Sequence, residues 1–583
     1  MIDLHGLPIL SENVPPKNAR EAADAVCIGG GFPVIIFGKI PAAYGAKSMA
    51  NDYDEFDDED EKPASGRFAR WFAFLPTLSR RGRIVRNIIG LVGIVFIAGW
   101  ISVRVSLSPP RPLIPPGRDF VLTGLTIVNP GLDRNSGQTI IVKDGRISKI
   151  SAVEPADAGI VAARYTGYFA LPGLIDMHVH TPPPPANADR LFFYLEYLAN
   201  GVTTIRDAGN DGFLLRYRMN TAEGRVAGPR IFTCGPYLDG EPPVWEFSRA
   251  INNQADADFF VDRLAAHGAD FVKVYDRLTP EALAAIESAA KRHNLPVVGH
   301  VPEMVAFENA HIDDVQHLTG VPVVPLRKYQ DVTSLYEART NGWRDLDDTR
   351  IRFIVQTSLA QHMAHTPTLV ANDRISRLYD FNEQLVDPVA AILPSWYPDI
   401  VWPRYLTGTG GLPGELQQAM RLMHGQVPKM KEVVRQLHQA GVKVHLGTDT
   451  LNPFIVPGES LHEEMQNFAD AGYTPEEIWQ AATRGNGASL PMPDLGLLKP
   501  GAPADLLIFK NDPTKNLDAF DSLQAVVVDG RFYYRTQLED GILRYRRRFD
   551  NPLYKFVTLT VMRGVVRRIR PRDLQGRVPN DLN

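Results

Sequence analysis

Six residues in this chain combine metal-binding side chains with a spacing that would let them act together. His178 and His180 form a His-x-His pair at the end of the apolar run Leu174–His180 (LIDMHVH). Alternation along a strand turns both imidazoles to one side, so such a pair can chelate a metal ion. Lys273 is embedded in the apolar stretch FVKVY, His300 follows a glycine, His317 follows a glutamine, and Asp449 closes the triplet GTD. Each motif alone is weak. His-x-His is frequent by chance, an interior lysine can simply pair with an acid, a strand-end histidine is more often a core or surface residue, and GTD is a plausible turn. Their order and spacing together carry the signal, because one architecture brings all six to a single rim.

That architecture is a (β/α)8 TIM barrel, whose active site lies where the C-terminal ends of the strands meet. Eight strand candidates can be read from their apolar cores: Leu174–His180, Val202–Arg206, Arg230–Cys234, Phe271–Tyr275, Val297–Val301, Asp314–Leu318, Thr366–Val370 and Val442–Asp449. Helical texture such as Pro280–His293 and Lys429–Ala440 alternates with them, the pattern of an α/β protein with a parallel sheet. Shorter β-like runs flank this region at Phe120–Val128, Thr139–Val142 and Ile147–Ile150. They return at Ala504–Phe509 and Gln524–Val528, where Asp529-Gly530 signals a hairpin. The expected fold is therefore α/β: a barrel over 173–485, a small β-sandwich domain built from 119–172 and 486–536, and an N-terminal transmembrane helix. Two long segments, at about 321–365 and 371–440, are expected to be lid insertions; the second carries Trp396, Trp402 and Gly408–Gly411.

LPGLIDMHVH, FVKVY, GH, QH and HLGTD, in that order, resemble the amidohydrolase superfamily. So does the later SLHEEM…GYTPEEIWQAAT…GLLKPGAPADLLIF. The likeness covers residues 119 to 535 and is greatest to the imidazolonepropionase-like and prolidase-like branch. It implies a binuclear centre: His178, His180 and Asp449 on one divalent metal ion, His300 and His317 on the other, and Lys273 bridging both as a CO2-derived carbamate. Zinc suits this ligand set, and manganese or cobalt would also fit. Val272 and Val274 favour the uncharged amine that reacts with CO2. The implied reaction is hydrolysis of an amide or peptide C–N bond by a metal-bridging hydroxide, with Asp449 as base and then acid. The substrates expected are dipeptides, N-acyl amino acids or cyclic amides. Tyr275, two residues beyond Lys273, and His462 are candidate substrate contacts, although a packing role for each is the simpler reading. Arg206-Asp207 is expected to support the ligands as an ion pair, and His365, His424, His438 and His445 to be structural or surface residues.

Two other enzyme readings share the scaffold. His300-Val301-Pro302-Glu303 matches the His-x-x-Glu of mononuclear deaminases, which generally lack the bridging lysine. A lactone or ester hydrolase is the other. A catalytically inactive scaffold protein is the reading from a different class, and the complete ligand set argues against it.

The chain has 583 residues, too many for one compact core, with 44% hydrophobic and 22% charged residues. A formal net charge of −5 gives no reason to expect nucleic acid as a partner. A small-molecule amide or peptide substrate and self-association as a homo-oligomer are compatible with it. The acidic run Asp52–Glu61 reads as solvated and disordered within a cytoplasmic tail over 1–83. Residues 1–48, which precede Met49, are a candidate over-long gene start. Arg80, Arg81, Arg83 and Arg86 precede the apolar stretch Ile88–Val103, read as a membrane anchor over 84–107, with a proline-rich linker at 108–118. The arginine bias predicts a cytoplasmic N-terminus and an extracytoplasmic catalytic region. Cys27 and Cys234 would then lie on opposite sides of the membrane, unable to pair. The remaining 537–583 reads as a basic, solvated tail, with binding to anionic lipid as its alternative.

Overall fold

In a computed structural model the described residues are 79–153, 163–182, 190–210, 212–245, 247–326, 332–405 and 414–566. The acidic run, Cys27, Gly408–Gly411 and the basic cluster beyond residue 566 lie outside them. Two compact units divide at Asn87 and Ile88. The boundary falls inside a helix of 28 residues, Arg80–Leu107, whose apolar 18-residue window has a mean hydropathy of 2.2. It is long and apolar enough to cross a membrane, and its Ile89, Phe96 and Trp100 are exposed.

In the second unit, β1 (Phe120–Asn129), β2 (Asp133–Lys143), β3 (Arg146–Ser151), β4 (Ala163–Arg164) and β5 (Phe169–Pro172) precede the catalytic region. Strands β15 (Leu506–Phe509), β16 (Leu523–Val528) and β17 (Arg531–Tyr534) follow it. They share one sheet in the order β17-β16-β15-β5-β1-β2-β3, with β4 also on β1. The seam is antiparallel, Leu507 opposite Leu171 and Ile508 opposite Ala170. Period-two alternation makes this sheet a partition between two cores. Leu506, Ile508, Ala525 and Val527 pack with Leu122 and Ile140 on one side. Leu507, Phe509, Val526 and Val528 join the main core on the other.

The strands that carry the site are parallel and buried: β6 (Leu174–Val179), β7 (Val202–Asp207) and β8 (Arg230–Thr233) form one sheet. A second has the order β10-β9-β11-β12-β13-β14, comprising β9 (Leu238–Asp239), β10 (Arg249–Ala250), β11 (Val272–Val274), β12 (Val297–Gly299), β13 (Asp314–Gln316) and β14 (Ala364–Thr366). Burial on both faces explains their near-continuous apolar sequences.

Several expectations need correction. The seventh strand lies at Ala364–Thr366, because Leu369 and Val370 begin a helix, Leu369–Ser376. No strand forms at Val442–Asp449. The segment instead makes single parallel bridges, Val444 to His365 and Thr450 to Val179, so it links the two sheets without a continuous ladder among the described residues. Asn486 and Asp176 capture its Leu446 and Thr448 N–H groups (3.2 and 3.0 Å), and Asp449 turns to φ +63. Helices Asp348–Ala360 and Val427–Gln439, within the expected insertions, directly precede β14 and the 442–450 segment and belong to the α/β alternation. Trp396 and Trp402 are buried in the main core, with Trp402 4.7 Å from the Phe454 ring. Residues 537–566 are no tail: helices Arg535–Phe549 and Pro552–Val566 pack on the core, with Phe549 5.0 Å from Phe192.

Candidate metal centre

The site is built where β6 ends. His178 and His180 sit two residues apart and turn towards Asp449 Oδ1, at 3.4 and 3.1 Å from their Nε2 atoms. Asp449 is placed by the turn that carries it. Its N–H and that of Thr448 both donate to the His178 carbonyl (2.7 and 3.2 Å), and Thr448 Oγ1 donates to Asp176 (2.7 Å). Gly447 is required by this approach, since a Cβ there would meet the His178 nitrogen at 2.8 Å. One ligand atom from each of His178, His180 and Asp449 falls within 4.8 Å of the others.

The remaining candidates close around this triad. The His317 ring lies 4.4 Å from that of His178 and 5.0 Å from that of His300. His317 Nδ1 is 3.8 Å from Asp449 Oδ2. Gly299, at φ +147, delivers His300; a Cβ there would collide with the Val274 carbonyl at 2.1 Å. Three of the four imidazoles have Nδ1 engaged from behind: His180 by the Gly209 carbonyl (3.1 Å), His300 by Asp276 (2.6 Å) and His317 by Thr368 Oγ1 (2.6 Å). A carbonyl or carboxylate on Nδ1 fixes the proton there and leaves Nε2 as a free ligand atom.

Lys273 is 1% exposed, and its ammonium donates to Gln316 Oε1. Burial is the main cause that brings its pKa down to about 8, against the pull of Asp449. Burial also holds His178 and His317 well below the usual imidazole range. In His180 the same burial is outweighed by Asp449, which raises it. Burial works against the Asp449 carboxylate too, but His317, His178 and His180 keep it well below the usual range. Burial lowers His300 as well, so His178, His300 and His317 favour the neutral imidazole beside an ionised Asp449, the protonation states that metal ligation needs, while the same carboxylate favours the protonated form of His180.

Two buried atoms fit a loaded site better than an empty one. His178 Nδ1 and Gln316 Nε2 have no hydrogen-bond partner among the described residues. A carbamate on Lys273 would offer acceptor oxygens to the amide donor of Gln316, which the ammonium cannot use.

Tyr275 lines the site, 4.3 Å from the His300 ring and stacked 5.0 Å from Tyr237, whose hydroxyl lies 3.3 Å from His180 Nδ1. His462 is elsewhere and is withdrawn as a substrate contact. On helix Glu459–Asp470 it bonds the Asn200 carbonyl (3.1 Å), at the chain's entry to β7, and packs on Phe520. Arg206 and Asp207 are not partners, because consecutive strand residues face opposite sides. Arg206 pairs with Asp314, while Asp207 accepts from the Thr181 and Gly209 N–H groups. His365 and His445 are buried below the site, on Ser358 and Asp314.

The profile of the amidohydrolase family matches residues 169–533, more than half of the chain and all six candidate ligands. The chain belongs to the amidohydrolase family. Its fold is similar to that of bottromycin amidohydrolase (22% identity, TM-score 0.59, covering 76% of this chain and 93% of that one). It is also similar to the putative prolidase of Bifidobacterium longum (23%, 0.53, 75% and 100%) and to a Xaa-Pro dipeptidase solved with methionine in its active site (18%, 0.52, 71% and 100%). A curated relative, the 8-oxoguanine deaminase of Pseudomonas aeruginosa, is 30% identical over 115 residues, 19% of this amidohydrolase. The chain spans about a quarter of that relative's length.

Sequence reasoning missed Tyr237, Gln316, Asp276 and Arg339 as parts of this site. Asp276 directly follows FVKVY and could have been suspected as a carboxylate behind a ligand. Arg339, 3.4 Å from Asp276, comes from helix Val332–Arg344 and left no motif.

Proposed function

We propose that this amidohydrolase cleaves an amide or peptide C–N bond at a centre of two divalent metal ions, on substrates such as dipeptides, N-acyl amino acids or cyclic amides. The observation that carries the reading is the convergence of His178, His180 and Asp449 beside a buried Lys273. His178, His180 and Asp449 would hold one ion and His300 and His317 the other. Lys273 would bridge them once its neutral amine has attacked CO2, forming an N–C bond and losing one proton to solvent. Zinc is the metal favoured by this mix of ligands. When bound, the ions supply the Lewis acidity that polarises a scissile carbonyl and acidifies an attacking water.

The chain's own groups perform the rest. Asp449, through Oδ2, takes the proton of the attacking water and passes it to the leaving nitrogen. Tyr275 already accepts from Trp245 Nε1 (3.1 Å), so its own O–H is left to donate to a substrate carboxylate. The strand-end geometry supports a (β/α)8 barrel reading of the parallel sheets. The apolar helix Arg80–Leu107, with arginines at its start, supports a single-pass anchor with the catalytic region outside the cytoplasm.

A panel of dipeptides and N-acyl amino acids tests the reading. Amine or amino-acid release that a chelator abolishes and zinc restores is the expected result. Ammonia release from aminopurines, with every amide left intact, would replace it by the mononuclear deaminase reading that the Pseudomonas relative favours.

A further inference from the structure

The helix Pro552–Val566 has a face that the fold does not cover. Phe556 is 69% exposed and Val561 48%, among the larger apolar exposures outside the apolar helix Arg80–Leu107. The helix is fixed to the core through Tyr554 and Met562, both buried. The sequence PLYKFVTLTVMRGVV contains no acidic residue, carries Lys555 and Arg563, and runs on into Arg567, Arg568, Arg570 and Arg572.

What covers this face is indicated by what it adjoins. Arg548, in the loop-side turn of helix Arg535–Phe549, donates to the carbonyl of Leu107 (2.9 Å), the last residue of the apolar helix. The same guanidinium lies over the Tyr554 ring at 4.3 Å. One contact thus ties the end of the apolar helix to the beginning of Pro552–Val566. Trp100 and Arg104, within two turns of that end and 5.6 Å apart, are the residue types that settle at the boundary between lipid and water. The exposed apolar and basic face is therefore held at the level where a bilayer would end.

We propose that helix Pro552–Val566 lies on an anionic lipid bilayer, with Phe556 and Val561 in the acyl boundary and Arg563 among the headgroups, so that the hydrolase is seated on the membrane at a second point. This rests on the reading that Arg80–Leu107 spans the bilayer. An interfacial helix gains from apolar burial and from anionic headgroups together, and a fixed span supplies a high local concentration of surface.

Spin labels on the full chain test it, in vesicles of phosphatidylcholine with and without phosphatidylglycerol. In a Cys27→Ser background, labels are placed by Phe556→Cys, Val561→Cys, Phe96→Cys within the span, and Leu422→Cys on an exposed site elsewhere (53%). The expected result is oxygen accessibility well above nickel-chelate accessibility at 96, 556 and 561, the reverse at 422, and a loss of lipid contact at 556 and 561 without the anionic lipid. Lipid contact at 96 with 556 and 561 in water would overturn the surface while leaving the anchor standing. Water at 96 would remove the anchor and the proposal with it. Dipolar broadening between labels at 556 would show a second copy covering the face and would also overturn the proposal.

Discussion

Nδ1 of His300 lies 2.6 Å from a carboxylate oxygen of Asp276, whose other oxygen lies 3.4 Å from Arg339. Asp276 orients His300, a proposed ligand, and Arg339 holds Asp276 from a helix outside the strands. Burial opposes the Asp276 charge, but His300 and Arg339 hold it well below the usual carboxylate range, so it stays ionised at any working pH. Asp276→Asn removes the charge behind His300 while keeping the shape. Supporting carboxylates of this kind are worth about 10–100-fold in metal affinity. Metal content titrated against a competing chelator should fall by that factor, and an unchanged affinity would show that His300 is not a ligand.

Asp449 is proposed as both a ligand and the proton carrier. Asp449→Asn should lower kcat by about 10²–10⁴-fold, the range of general acid–base catalysis, with the far-UV spectrum unchanged. A variant with more than a tenth of the activity would remove Asp449 from the chemistry.

The fold rests on a second buried pair, Arg206 and Asp314, beneath the site. Asp314 also accepts from Thr366 Oγ1 (2.8 Å) and lies 3.2 Å from His445 Nδ1. Asp314→Ala leaves a buried guanidinium uncompensated, a loss of about 3–5 kcal/mol. Urea unfolding should show a lower midpoint with the slope retained. Equal midpoints would mean the pair contributes nothing to stability.

Glu464 gives the fold a pH dependence. It accepts from the Leu369 and Val370 N–H groups (2.9 and 2.7 Å). Burial nevertheless raises its pKa from 4.5 to about 8. A raised carboxyl pKa means the folded state binds more protons than the unfolded one between those values. Its contribution is complete below about pH 4.5 and is lost as pH rises towards 8, at up to about 1.4 kcal/mol per pH unit. Glu464→Gln should flatten the fall in unfolding free energy across that window, and a slope identical to that of the parent protein would contradict the assignment.

The six candidate ligands stand out in the sequence because five of them close apolar runs and Lys273 interrupts one, and strand alternation says which way a strand residue faces. The seventh strand was misplaced for a local reason. Thr-Pro-Thr-Leu-Val reads as extended, but Thr368 adopts φ +43 and starts a helix there. The 442–450 segment is apolar enough for a strand, yet its pairing is diverted by side chains of Asn486 and Asp176, which no local pattern reveals. The C-terminal helices were obscured by their arginines. Leu538, Ile542, Tyr545 and Phe549, all buried, recur at helical spacing and carried the signal that charge density hid.

Metal content per chain, measured by elemental analysis on protein purified without chelator and compared with Lys273→Ala, tests the central claim most directly. About two ions per chain are expected in the parent protein, with a sharp fall in the variant, since the bridge is lost. About one ion in both proteins would contradict the bridged centre.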